Sequence, residues 1–236
     1  CCLVGGSRFE RRLRVARCAA VVKVTGRYAL AAMIAVSAIG VLPVPASGAD
    51  TPQPSPTAEE AFSQIAGCVS TSEQTNVLFV IDESLSLRDS DPDSQRSQAL
   101  KIAIGGLADL QESAPDKKIM VAASTFSTDY VQRIPWQRAD EQSIRALKDF
   151  AGQEVPSLNS GEGTDYRRAM LGARRQLVDQ DQGCRIMLWF TDGGLDVEDE
   201  TQAVYEDICA PRGVADTLRA DNISVVAVAL FNPAVS

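Results

Sequence analysis

The chain has 236 residues, of which 45% are apolar, and it carries 31 acidic and 23 basic side chains but no histidine. This length suits one sizeable domain with appendages, and the apolar content excludes a chain that is disordered throughout. The lack of histidine excludes Ser-His-Asp hydrolysis and histidine-ligated zinc or copper sites. The acidic excess disfavours nucleic-acid binding, because the phosphate backbone would be repelled.

Residues 1–49 have the organisation of a secretory signal peptide with a long basic region. Seven basic side chains precede an apolar, uncharged stretch from Ala29 to Val44, which is shorter than the ~20 residues of a stable membrane span. Small residues follow as far as Ala49, as at a cleavage site. We therefore predict a secreted or cell-surface protein. A retained membrane anchor is the alternative.

Residues 50–61 are rich in Pro, Ser and Thr and are interpreted as a linker. Residues 62–236 are interpreted as one domain, because apolar runs alternate there with segments of helical periodicity. The predicted buried strands are Val77–Ile81, Ile119–Phe126, Ile186–Thr191 and Ile223–Phe231, and Tyr130–Trp136 suits an edge strand. The alternation predicts an α/β fold with a doubly wound, mostly parallel sheet and helices on both faces.

The segments between these strands contain the predicted helices and one pair of cysteines. The helices are Gln98–Leu110, Glu141–Phe150, Tyr166–Val178 and Val214–Ala220, with Asp140 and Asp165 as N-caps. Cys68 shortly precedes the first strand, and Cys184 precedes the strand that begins at Ile186. A Cys68–Cys184 disulfide at one end of neighbouring strands is therefore geometrically reasonable, and unpaired cysteines are the alternative.

Oxygen-bearing side chains cluster in three places that a doubly wound sheet can bring together. DESLS, with Asp82, Ser84 and Ser86, ends the first strand; GEGTDY, with Thr164, opens a helix; and WFTDGG places Asp192 directly after a strand. Ligands of such sheets bind at the carboxyl ends of the strands. These two carboxylates and three hydroxyls form an all-oxygen set that suits Mg²⁺ and allows Mn²⁺ or Ca²⁺.

In this order, the three motifs resemble the metal-ion-dependent adhesion site of von Willebrand factor type A domains, and the resemblance covers about Asn76 to Phe231. Leu85 stands where the family often has Gly. Such domains usually continue through a further helix, strand and helix, so the sequence is expected to be truncated at its C-terminus.

The resemblance also implies roles for the individual residues. Ser84, Ser86 and Thr164 would bind the metal directly, whereas Asp82 and Asp192 would act largely through bound water. A partner protein would complete the coordination with an Asp or Glu carboxylate. The expected function is thus a non-enzymatic, exported adhesion or interaction module that meets a membrane only through its signal or a C-terminal anchor.

Residues beside Thr164 extend this expectation to the rim of the site, where Glu162, Asp165 and Tyr166 are predicted to contact the partner. One alternative is a metal-dependent hydrolase or phosphoryl-transfer enzyme, for which Asp165 and Glu162 are the only nearby candidate bases. Another alternative is a structural envelope protein with a vestigial site.

A separate acidic run, Asp89, Asp91 and Asp93, is similar to the start of a calcium loop. Ser94 and Leu100 stand where an EF-hand needs Gly and Glu. We interpret the run as a solvated loop that caps the following helix.

Overall fold

The structure, a computed structural model, describes residues 20–24, 56–181, 183–192 and 201–230. The rest of the predicted signal peptide and the first part of the predicted linker lie outside the described residues. The strands are β1 Ala20–Val24, β2 Gln74–Asp82, β3 Lys118–Phe126, β4 Tyr130–Arg138, β5 Cys184–Thr191 and β6 Ile223–Leu230. The helices are α1 Pro56–Thr71, α2 Leu87–Ser90, α3 Gln95–Ser113, α4 Glu141–Asp149, α5 Tyr166–Val178, α6 Thr201–Cys209 and α7 Val214–Ala220.

The strands form one sheet in the order β1-β6-β5-β2-β3-β4. All neighbouring pairs are parallel except β3 and β4, which are antiparallel. The predicted mostly parallel α/β sheet is therefore confirmed, with β4 as the predicted edge strand. β2 and β5 lie side by side, with Ile81 opposite Phe190, so the residues that follow both strands emerge at the same edge of the sheet.

Helices cover both faces of the sheet, and β2 contributes to both layers of the core. Phe79 and Ile81 pack with residues of α3 and α4 on one face. Leu78 and Val80 pack with residues of α5, α6 and α7 on the other. Each of these four side chains is fully buried, and such burial contributes roughly 1.5–3 kcal/mol per large apolar side chain. This explains why β2 is a continuous apolar run rather than an alternating one.

Several elements were not predicted from the sequence. Ala20–Val24, assigned above to the basic region of the signal peptide, form β1 beside β6 in the uncleaved chain, with Ala20 opposite Val226. Cleavage after Ala49 stays a prediction. α1 begins at Pro56, so the last residues of the segment interpreted as a linker are helical.

Among the described residues, no helix is both long and apolar enough to cross a membrane.

The predicted disulfide is present. Cys68, near the end of α1, is bonded to Cys184, the first residue of β5, and the two Cα atoms are 5.5 Å apart. The bond joins residues separated by 116 positions in the sequence. It therefore ties α1 to the central strands and removes much of the freedom of the unfolded chain.

We expect the double substitution Cys68→Ala and Cys184→Ala to lower the free energy of unfolding by about 2–4 kcal/mol. The reason is that the unfolded chain has more conformational entropy without the cross-link. Urea denaturation without reductant measures the change. Ser70→Ala, on the exposed surface of α1, is the control and should change stability by less than ~0.5 kcal/mol. A double variant as stable as the wild type would contradict the structural role of the bond.

Candidate metal centre

The carboxylate of Asp82 organises the end of β2. The side chain is fully buried, its Oδ1 accepts the backbone N–H of Ser84 at 2.8 Å, and its Oδ2 accepts the hydroxyl of Thr191 at 2.7 Å. The first bond closes an Asx turn, in which an aspartate binds the backbone two residues further on. This turn places the hydroxyls of Ser84 and Ser86 side by side, with 3.1 Å between their oxygens. We call residues 82–86 the serine loop.

A second loop, residues 158–164, which we call the threonine loop, runs beside the serine loop. Gly161 forms a parallel bridge with Ser84. Its carbonyl accepts the N–H of Leu85 at 2.8 Å, and its own N–H donates to the carbonyl of Glu83 at 3.0 Å. Thr164 follows three residues later and is buried at the start of α5. The structure thus brings together two of the three predicted metal loops.

The third part of the site is Asp192, which follows β5 directly. Its Oδ2 lies 2.7 Å from the hydroxyl of Ser90, and this hydroxyl is also 3.0 Å from the carbonyl of Ser86. Ser90 therefore links the serine loop to Asp192. It was not identified from the sequence, although its position one turn after Ser86 on a short helix places it on the same side.

The charges at this site favour a cation. Burial, followed by the negative charge of Asp192, raises the pKa of Asp82 from its ordinary value of 3.8 to about 7, while the hydrogen bonds from Ser84 and Thr191 act in the opposite direction. A divalent cation would offset both the desolvation and the repulsion between the two carboxylates. Two carboxylates and neighbouring hydroxyls are hard oxygen donors, which fit Mg²⁺.

Tyr166 does not line the rim, contrary to the prediction. It is 4% exposed and packs edge-on against Phe126 and Trp189, with ring centroids 5.8 Å and 5.4 Å away. Its hydroxyl lies 2.7 Å from the hydroxyl of Thr191. Since Thr191 donates its proton to Asp82, Tyr166 is the donor to Thr191. Burial raises the pKa of Tyr166, which keeps this hydroxyl protonated.

The other two predicted rim residues differ from each other. Asp165 is 6% exposed, and its carboxylate accepts the N–H of Arg168 at 2.9 Å as the N-cap of α5. The N-cap prediction is confirmed, and the rim prediction for Asp165 is wrong because the carboxylate is used inside the fold. Glu162 is exposed on the threonine loop. Leu85, between the two serines, is 45% exposed and was not predicted as a rim residue.

A comparison with protein-family models decides the family. The model described as von Willebrand factor type A domain matches residues 77–194, which is half of the chain. The chain belongs to the von Willebrand factor type A domain family. The matched region contains the serine loop, the threonine loop and Asp192 of this type A domain. No curated protein gives a significant match.

The type A domain is also similar to solved structures. One is the conserved hypothetical protein BatB from Bacteroides thetaiotaomicron, with 20% identity, 66% of this chain and 66% of that chain covered, and a TM-score of 0.45. A von Willebrand factor type A protein from Catenulispora acidiphila has 16% identity, coverage of 65% and 32%, and a TM-score of 0.44. The vWF domain of the type V pili tip protein Mfa5 from Porphyromonas gingivalis has 15% identity, coverage of 53% and 40%, and a TM-score of 0.41. This chain covers about two thirds or less of each.

We expect Gly161→Ala to displace the threonine loop, because the added Cβ would lie 2.2 Å from the Cβ of Ser127 and 2.4 Å from its hydroxyl. Overpacking of this kind lowers the free energy of unfolding by about 1–3 kcal/mol. Thermal unfolding measures the loss, and adding Ser127→Gly should restore part of it. Gly105→Ala, which would meet no atom within 4 Å on α3, is the control and should not destabilise. An unchanged Gly161→Ala variant would contradict the close approach.

The hydrogen bonds from Tyr166 through Thr191 to Asp82 should appear as an energetic coupling. We expect Tyr166→Phe to lower the free energy of unfolding by about 0.5–1.5 kcal/mol, because one buried hydrogen bond is lost. In a double-mutant cycle with Thr191→Val, measured by urea denaturation, the two effects should not add. Tyr130→Phe, which loses a bond to Gln176 elsewhere, should add to Thr191→Val, and additivity in both cycles would refute the link.

Proposed function

We propose that this type A domain is an exported protein-binding module whose ligand supplies a carboxylate to a divalent cation, preferably Mg²⁺, at the serine and threonine loops. Ser84, Ser86 and Thr164 would bind the ion directly, and Asp82 and Asp192 would act largely through bound water. The observation that carries the proposal is the buried carboxylate of Asp82, fixed between two donors, beneath a pair of serine hydroxyls that are 3.1 Å apart.

The character of the proposed ligands explains why a partner carboxylate would be bound. The direct ligands are neutral hydroxyls, and a hydroxyl withdraws little of the charge of a divalent ion. Mg²⁺ also keeps several waters in protein sites, which an incoming oxygen can replace. The cation would therefore attract an Asp or Glu of the partner, in a charge-assisted contact.

Two exposed residues beside the serine loop could contact a partner in addition to the ion. Leu85 is 45% exposed between the two serines, and its backbone N–H is held by Gly161. An exposed leucine on a backbone that is already held provides apolar contact area with little loss of backbone entropy on binding. Glu162, exposed on the threonine loop, would favour a partner with a basic residue near its carboxylate.

Two alternatives from other classes remain. A metal-dependent hydrolase or phosphoryl-transfer enzyme would need a base or nucleophile beside the ion. Asp165, one of the two candidates, is buried and caps α5, which favours binding over catalysis. A structural envelope protein with a vestigial site is the second alternative. A secreted or cell-surface location is part of the proposal, and it is supported by the charge and hydropathy pattern of residues 1–49.

We expect Ser84→Ala and Asp82→Ala to abolish Mg²⁺ binding while the domain stays folded, because each removes an oxygen around which the site is built. Isothermal titration of the wild type and variants with MgCl₂ measures the affinity, and circular dichroism checks the fold. Ser113→Ala, at the exposed end of α3, is the matched control and should bind Mg²⁺ as the wild type does. Unchanged affinity in Ser84→Ala would overturn the assigned ligand set.

Partner capture separates the three classes. The immobilised domain should retain a protein from the organism's secreted or surface fraction in Mg²⁺ and release it in EDTA, whereas Ser84→Ala should retain nothing. Mg²⁺-dependent turnover of phosphate or ester substrates without a partner would favour the enzyme instead. A wild-type domain that shows no Mg²⁺ affinity would identify the site as vestigial.

A further inference from the structure

A basic side chain that belongs to none of the predicted metal ligands is buried beneath the serine loop. Arg96, in the first turn of α3, is 2% exposed, and the side chain of Asp91 beside it is fully buried. Asp91 caps α3 as predicted, because its carboxylate accepts the backbone N–H of Gln95 and of Arg96. The interpretation of this acidic run as a solvated loop is wrong for Asp91, whose Oδ2 lies 3.2 Å from Arg96 Nε.

The guanidinium of Arg96 connects the bases of both metal loops. Its Nη1 donates to the carbonyl of Asp82, the last residue of β2, at 2.5 Å. Its Nη2 donates to the carbonyl of Val155 at 2.9 Å. Asp82 begins the serine loop, and Val155 lies in the 3₁₀ turn Val155–Ser157, which leads directly into the threonine loop. One planar side chain therefore spans the gap between the two loops.

The contact with Asp91 supplies charge rather than a further hydrogen bond. Within the described part of the chain, the Nε–H of Arg96 has no acceptor in hydrogen-bonding geometry, although Asp91 Oδ2 is only 3.2 Å away. Asp91 thus acts as the counter-ion that makes a buried arginine tolerable. Buried ion pairs are weak contributors to net stability, since apolar replacements are often as stable. The pair is better explained by what the guanidinium holds in place.

We propose that Arg96 is a positioning residue for the metal centre, because its two hydrogen bonds set the distance between the serine loop and the threonine loop. The inference rests on the metal-dependent binding proposed above. Mg²⁺ demands near-ideal ligand geometry, so a small change in loop spacing lowers its affinity even though Arg96 does not touch the ion. Substitution of outer partners of this kind weakens metal affinity by about 10- to 100-fold.

Two variants test this role without leaving an unpaired buried charge. Arg96→Lys keeps the positive charge beside Asp91, but a point-like ammonium cannot bond both carbonyls with the fixed spacing of a guanidinium. Arg96→Met combined with Asp91→Asn removes both charges and keeps a side-chain oxygen at position 91 that can accept the backbone N–H groups of Gln95 and Arg96. Ser97→Ala is the matched control. This substitution removes the 2.5 Å hydrogen bond from the Ser97 hydroxyl to the carbonyl of Ala151. It does not alter any contact with the end of β2.

The first readout is Mg²⁺ affinity by isothermal titration. Arg96→Lys and the double variant should each bind Mg²⁺ about 10- to 100-fold more weakly than the wild type, and Ser97→Ala should bind it as tightly as the wild type. Unchanged affinity in both Arg96 variants overturns the proposal. An equal loss in Ser97→Ala also overturns it, because any disturbance of α3 would then suffice.

The second readout is independent of the metal and separates this inference from the proposed function. Amide hydrogen exchange in EDTA reports the two bonds that bridge the loops, from Leu85 to Gly161 and from Gly161 to Glu83. In the Arg96 variants these two amides should exchange at least ~10-fold faster than in the wild type. The exchange rate of the Phe79 amide, in the centre of β2, is the internal reference and should not change. If the wild type binds no Mg²⁺, the proposed function fails, and exchange alone tests Arg96. Equal acceleration of all three amides overturns the positioning role.

Discussion

The parallel, in-register pairing of β2 with β5 is the constraint on which the rest of the structure depends. Because the two strands run in the same direction, Asp82 and Asp192 leave the sheet at one edge. The register is fixed by burial on both faces of β2, since a slip of one residue would exchange the side chains that face the two helical layers. The Cys68–Cys184 bond holds the opposite end of this strand pair. The grouping of the candidate metal ligands is thus a consequence of how the core packs.

Hydrogen bonds hold the loops of this centre in place. The Asp82 carboxylate binds the serine loop and Thr191, Gly161 binds the serine loop to the threonine loop, and Ser90 lies within hydrogen-bonding distance of Asp192. A buried carboxylate is expensive unless it is paired or hydrogen-bonded. A cation at this edge would offset that cost, and the proposed ligands, held by these hydrogen bonds, would need little ordering on binding.

Residues near the candidate site divide into those used inside the fold and those exposed at the surface. Asp165 caps a helix, Tyr166 donates within the core, and Asp91 neutralises a buried arginine. Glu162 and Leu85 are exposed beside the same loops. Under the proposed function, the exposed leucine and the exposed carboxylate would contact the partner, whereas the buried Asp165 already caps a helix and is less suited to act as a base.

The sequence by itself determined the mostly parallel α/β sheet with β4 at its edge, the helices α5 and α7 with their bounds and the N-caps Asp140 and Asp165. It also favoured the Cys68–Cys184 pairing and predicted the three motifs of a metal site. These features follow from local periodicity and from the rule that ligands collect at the carboxyl ends of strands. Only the tertiary structure decided that Tyr166, Asp165 and Asp91 are buried, that Ser90 bonds to Asp192, and that Arg96 bonds to the carbonyls of Asp82 and Val155. The bonds of Ser90 to Asp192, of Arg96 to Val155 and of Tyr166 to Thr191 join elements that are far apart in the sequence. Periodicity within one element carries no information about such contacts, because packing between elements sets them.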